Sequence, residues 1–142
     1  MIDTAATVVT KESIDVGIVV RNGDAMLAFY RDVLGLEHFL TAPMPLGIPG
    51  TMHRVRCGTT VLKLVELSNV PAAANPPGGM LGGTGFRYIT FFVADLDALL
   101  ARCRNADIAV AIERTTARPG VDIAMVVDPD GNWVELGQLT DA

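Results

Sequence analysis

The feature that most constrains this chain is that its second half repeats its first. Sliding the sequence by 73 residues places Val20 on Val93, Asp24 on Asp97, Ala25 on Ala98, Leu27 on Leu100 and Ala28 on Ala101. Each copy opens with an apolar run of strand length, Asp15 to Val20 and Tyr88 to Val93, and a polar turn follows it. In the first copy Ala25 to Leu34 carries Leu27, Tyr30 and Leu34 on one face of a helix, with Asp24 as the expected N-cap and Gly35 as the stop. In the second, a helix is expected from Ala98 to about Arg104, with Leu99, Leu100 and Cys103 as its apolar positions.

Three strand-like runs follow each helix: Glu37 to Thr41, Thr51 to Cys57 and Thr60 to Leu67, then Ile108 to Thr115, Val121 to Val127 and Asn132 to Gln138. The turn Asp128-Pro129-Asp130-Gly131 predicts a hairpin, because proline presets φ and glycine accepts a positive φ. Each half therefore reads strand–helix–strand–strand–strand, an α+β pattern. The modules cover about 13–67 and 85–138 of a single domain, 1–142. Between them lies a linker, 68–84, whose Asn75-Pro76-Pro77-Gly78-Gly79 centre cannot be a buried strand. A second Pro/Gly-rich stretch, Pro43 to Gly50, is a candidate cleft wall.

Composition narrows the function classes. A chain of 142 residues suits one domain, or two small halves sharing a core, and with 50% hydrophobic and 19% charged residues global disorder is excluded. The net charge of −5 leaves no basic stripe for nucleic acid, although a local pocket can carry the opposite sign. Cys57 and Cys103 lack zinc-type spacing and read as small apolar residues. Neither a signal-peptide pattern nor an apolar stretch approaching the roughly 20 residues of a membrane span occurs, so a cytoplasmic location without membrane contact is expected.

The helix end Leu27-Ala28-Phe29-Tyr30-Arg31-Asp32-Val33-Leu34-Gly35-Leu36 and the close Asp128-Pro129-Asp130-Gly131-Asn132-Trp133-Val134-Glu135-Leu136 together resemble the vicinal oxygen chelate superfamily of glyoxalases, bleomycin-resistance proteins and dioxygenases. The resemblance covers roughly 13–138. It implies two tandem βαβββ modules whose strands form a curled mixed sheet around a central cleft, with the helices outside. It also implies a small-molecule ligand and a homodimer.

Strand alternation selects the residues that look into such a cleft. Asp15 shares one face with Gly17 and Val19, opposite the more uniformly apolar Val16, Ile18 and Val20. By the same alternation Lys63, Tyr88, Phe92, Trp133 and Glu135 face inward. Metal-dependent members of the resembled family carry histidines and glutamates at the places taken here by Asp15, Lys63, Tyr88 and Glu135. Only Glu135 matches, so no cofactor is expected. A divalent metal, for which Asp15 and Glu135 alone would serve, is disfavoured. Lys63 would instead neutralise both carboxylates. Arg54 and Arg56 either point into the cleft, favouring an anionic ligand, or lie on a solvated edge. Phe86, Phe92 and Trp133 line a pocket for an apolar ligand body or simply fill a core. His38 and His53 fall on no family ligand position.

Two readings stand against each other. The first is a metal-independent isomerase, epimerase or lyase acting beside a carbonyl or carboxylate. Glu135 or Asp15 would be its base, Tyr88 its hydrogen-bond donor and Lys63 its oxyanion stabiliser. The second is a protein that sequesters a ligand or antibiotic without chemistry. A raised carboxylate pKa would favour the first, and an apolar cleft with its carboxylates held in ion pairs the second. A metal-dependent glyoxalase or dioxygenase conflicts with the absence of both family histidines.

Overall fold

The computed structural model describes residues 5–141. The first module comprises β1 (Val16–Val19), helix α1 (Gly23–Leu27, continuing as a wider π-helical turn over Ala28–Val33), β2 (Glu37–Pro43), β3 (Gly50–Cys57) and β4 (Thr60–Leu67). The second comprises β5 (Tyr88–Phe92), α2 (Leu96–Asn105), β6 (Val110–Arg118), β7 (Val121–Val127) and β8 (Trp133–Leu139), with one 3-10 turn, Gly79–Leu81, between the modules. Each module forms a four-stranded mixed sheet, in the orders β1-β4-β3-β2 and β5-β8-β7-β6. Only β1 with β4 and β5 with β8 run parallel. The two sheets curl without closing, as the repeat and the family resemblance lead one to expect.

Alternation decides what each face does. Leu62, Leu64, Val55, Ala124, Val126, Val134 and Leu136 point to the helices, and with Met26, Leu27, Phe29, Leu96, Leu99, Leu100 and Cys103 they form one core across both modules. Val16 and Ile18 pack against that core while Gly17 and Val19 stay exposed, as the sequence pattern predicts for β1. No helix of the described residues is long and apolar enough to cross a membrane.

The helix starts differ from expectation. Asn22 and Asp95, again 73 residues apart, are the caps, accepting hydrogen bonds from Ala25 N at 3.1 Å and Ala98 N at 3.0 Å. Asp24 and Asp97 lie inside the first turns, where their charge suits the helix dipole. Strand β6 also starts and ends later than expected, running past Thr115 to Arg118.

One buried polar contact fixes the modules to each other. Tyr30, fully buried, donates its hydroxyl to Asp128 Oδ2 at 2.8 Å, linking α1 to the β7–β8 turn. Asp128 also accepts from Asp130 N (2.9 Å), Asn132 N (2.9 Å) and Asn132 Nδ2 (3.0 Å), and Gly131 closes the turn at φ +87°. Burial raises the Asp128 carboxyl above its ordinary range, against the pull of those hydrogen bonds. Burial, and then the Asp128 charge, push Tyr30 far upward. Replacing Asp128 by alanine strands four donors, three of them in one turn. Asp128→Ala is therefore expected to cost roughly 2–4 kcal/mol in reversible unfolding, and Tyr30→Phe about 1 kcal/mol. Equal costs would show that the turn does not depend on this carboxylate.

Candidate functional site

Strands β1 and β5 are the free inner edges of the two sheets, and a cleft of about 590 Å³ lies between them. Ile14 to Val19 line one side and Phe86 to Ile89 the other, with Tyr30, Asn75, Asn132 and Trp133 completing the wall. Apolar and aromatic groups dominate this lining. Gly17 leaves open space there, since a methyl group at this position would meet nothing within 4 Å.

The linker is not a loose tether. Arg87 donates to Gly79 O at 2.7 Å, Pro76 O at 2.6 Å and Asn75 Oδ1 at 3.1 Å, and Asn75 donates to Asn132 Oδ1 at 2.9 Å. The strap so formed lays Gly79, at φ +58°, flat against the Trp133 indole, where any side chain at 79 would overlap the ring. Neither Arg87 nor Asn75 stands out in the sequence. A single arginine after a Pro/Gly-rich stretch carries no periodic or spacing signal. Residues 43–50, expected as a possible wall, do not line the cleft.

Of the expected site residues, Asp15, Phe86, Tyr88 and Trp133 line the cleft, whereas Lys63, Glu135, Arg54, Arg56 and Phe92 lie beyond its immediate lining. Lys63 lies next to Gly17 in register and reaches Asp15 at 3.8 Å. Lys11 is closer to Asp15, at 2.5 Å, and its hydrogen bond is the main reason the Asp15 carboxyl sits below its ordinary value. The expectation that Lys63 neutralises Glu135 as well is corrected: Glu135 makes no ion pair among the described residues and accepts from Thr90 Oγ1 at 2.9 Å. The reason is topological, because Lys63 and Glu135 belong to different sheets. Arg54 pairs in register with Lys63, on the same sheet face. Arg56, one turn of the pleat away, is held by Glu37 at 3.5 Å and stacks 3.8 Å over the Phe39 ring. Phe92 and Phe86 are outside the core; Phe92 leans on Gly137, and Phe86 is fully exposed at the rim.

His38 and His53 are on the far side of the first sheet. Thr41 Oγ1 lies 2.7 Å from His38 Nε2 and 3.1 Å from His53 Nδ1, and His53 Nε2 lies 3.3 Å from Glu66 Oε1. Glu66 Oε2 in turn accepts from Gly23 N at 2.6 Å, at the start of α1. This hydrogen-bonded row anchors the helix and lies apart from the cleft.

The fold agrees with what comparison with known proteins finds. The model of the Glyoxalase/Bleomycin resistance protein/Dioxygenase superfamily matches residues 13–136. The chain belongs to that superfamily. Trypanothione-dependent glyoxalase I of Leishmania major is 25% identical over 86% of this chain and 82% of its own, with a TM-score of 0.70. A glyoxalase family protein of Bacillus cereus is 15% identical, covers 98% of this chain and 100% of its own, and has a TM-score of 0.82. TnmS3, an antibiotic binding protein from a Streptomyces strain, is 22% identical, with 96% and 100% covered and a TM-score of 0.67. No curated protein matches the sequence.

Asp15 is held by two lysines and Glu135 by a threonine hydroxyl. Among the described residues no group of three or more His, Cys, Asp or Glu gathers around one point.

Glu66 provides a pH test of the helix anchor. The Gly23 amide holds its carboxyl below the ordinary value, with a smaller contribution from His53. A lowered folded-state pKa stabilises the fold above the unfolded value of about 4.5, and that stability is lost as pH falls through the folded value. Thermal unfolding scans across the acid range are expected to fall less steeply for Glu66→Gln than for the wild type. Parallel profiles would contradict the anchor.

Proposed function

We propose that the chain holds a small molecule with a planar apolar body and an anionic group, without a metal and without transforming it. The observation that carries this reading is the state of Asp15. Among the described residues it is the one carboxylate lining the cleft, and two lysines hold it, which also lowers its pKa. A general base needs the opposite displacement. The aromatic lining by Phe86, Tyr88 and Trp133 and the open space above Gly17 suit a flat ligand. Arg54 and Lys63, side by side on the same sheet face, suit its anionic group. TnmS3 supports the reading to the extent that the same fold serves an antibiotic binding protein. The exposed apolar residues Ile14 and Phe86 at the cleft and Leu81 in the linker support a homodimer that covers them.

One observation favours the enzymatic alternative, an isomerase or lyase. Glu135 Oε2 has no donor among the described residues, which leaves that oxygen available as a base.

The test is a titration with 1-anilinonaphthalene-8-sulfonate, an anionic aromatic probe, in the presence of EDTA. Saturable binding to the folded wild type is expected, with Gly17→Leu weakening it by roughly tenfold or more, about 1.4 kcal/mol. Thermal stability should hold in the variant, because the added side chain enters open space on an exposed sheet face. Unchanged affinity in a folded Gly17→Leu would place the probe elsewhere and remove the support for this cleft.

A further inference from the structure

The concave face carries two half-buried charges that the protein leaves unmatched, one on each side of the seam. Arg54 is the first. Its Nε donates to Met52 Sδ at 3.4 Å, but no carboxylate among the described residues pairs with its guanidinium. Arg56, on the same strand, differs in having both Glu37 and the Phe39 ring. Glu135 is the second, with one oxygen on Thr90 and no cation among the described residues.

Register places each of these charges in a transverse row of its own sheet. In the first sheet Gly17, Lys63 and Arg54 lie side by side on β1, β4 and β3. In the second, Thr90, Glu135 and Met125 lie side by side on β5, β8 and β7. Moving outward from the seam, the first row presents Lys63, already paired with Asp15, and then Arg54, while the second presents a carboxylate. Arg54 is two strands from the seam and Glu135 one strand from it, with the cleft between, and no contact joins them. Holding a charge half out of water without a partner is unfavourable. A ligand that only bore an anion would satisfy Arg54 and leave Glu135 facing a second negative charge. A ligand charged at both ends satisfies each.

Resting on the binding reading above, we propose that the cleft selects a zwitterion. Its carboxylate, phosphate or sulfonate end lies on Arg54 and Lys63, its aromatic body crosses the open space over Gly17, and its protonated amine meets Glu135. Selectivity then arises at both ends: each fixed charge attracts one end group and repels a ligand with the ends exchanged.

Three probes sharing one rigid body test this: aminomethyl-biphenyl-carboxylate with its charges at opposite ends, biphenyl-carboxylate, and aminomethyl-biphenyl. Calorimetry near neutral pH is expected to show the zwitterion binding roughly tenfold tighter than either singly charged probe. Glu135→Gln should remove its advantage over biphenyl-carboxylate, and Arg54→Met its advantage over aminomethyl-biphenyl. Should a variant fail to fold, the wild-type ratios decide alone. If biphenyl-carboxylate binds as tightly as the zwitterion, and folded Gly17→Leu still weakens it, the zwitterion proposal is overturned and the binding reading stands. If none of the three binds the wild type, both are overturned.

Discussion

The helix-side core shared by both modules, with the buried hydrogen bond from Tyr30 to Asp128 inside it, is what the rest of the molecule depends on. Two sheets with free edges, β1 and β5, have no backbone ladder to set their separation. What sets it is the shared helix-side core, and within that core the polar link from α1 to the β7–β8 turn. The same turn carries Asn132, which lines the cleft and accepts from Asn75 of the strap. Arg87 then ties the strap down and presses Gly79 onto Trp133. A continuous set of hydrogen bonds thus runs from the core to the cleft rim, and the two motifs that carry the family resemblance, around Tyr30 and Asp128, meet at its origin.

Much of the fold was legible because it rests on local pattern. The 73-residue repeat, the period-two alternation in β1 and the Asp-Pro-Asp-Gly turn each have a direct physical counterpart. The helix starts lie two residues earlier than the sequence suggests because two acceptable capping residues crowd each turn, Asn22 with Asp24 and Asp95 with Asp97. Local sequence does not say which one the backbone turns at. The wide turn in α1 left no trace in its apolar spacing.

The site was legible in part. Alternation placed Asp15 and Tyr88 toward the cleft, and the first-sheet register puts Lys63 and Arg54 on one face. Pairing across the seam is not readable from strand alternation, and the expected Lys63–Glu135 pair is absent among the described residues. Lys11, four residues before Asp15 and outside the repeat, carries no pattern that would single it out, although it is the nearer cation. Asp128 read only as a turn residue, since burial of its carboxylate depends on a tyrosine 98 positions away. Glu66 and Arg87 act through backbone atoms, and backbone partners leave no signature in a sequence.

The central claim is that the seam between β1 and β5 binds its ligand without a metal. The most direct test is amide NMR of EDTA-treated protein titrated with the zwitterionic biphenyl probe, repeated after adding zinc or manganese. The account predicts shifts concentrated at Gly17, Tyr88 and Trp133 in the metal-free sample, with the same affinity once metal is present. Shifts that arise only after metal is added, or that centre away from those three residues, would contradict it.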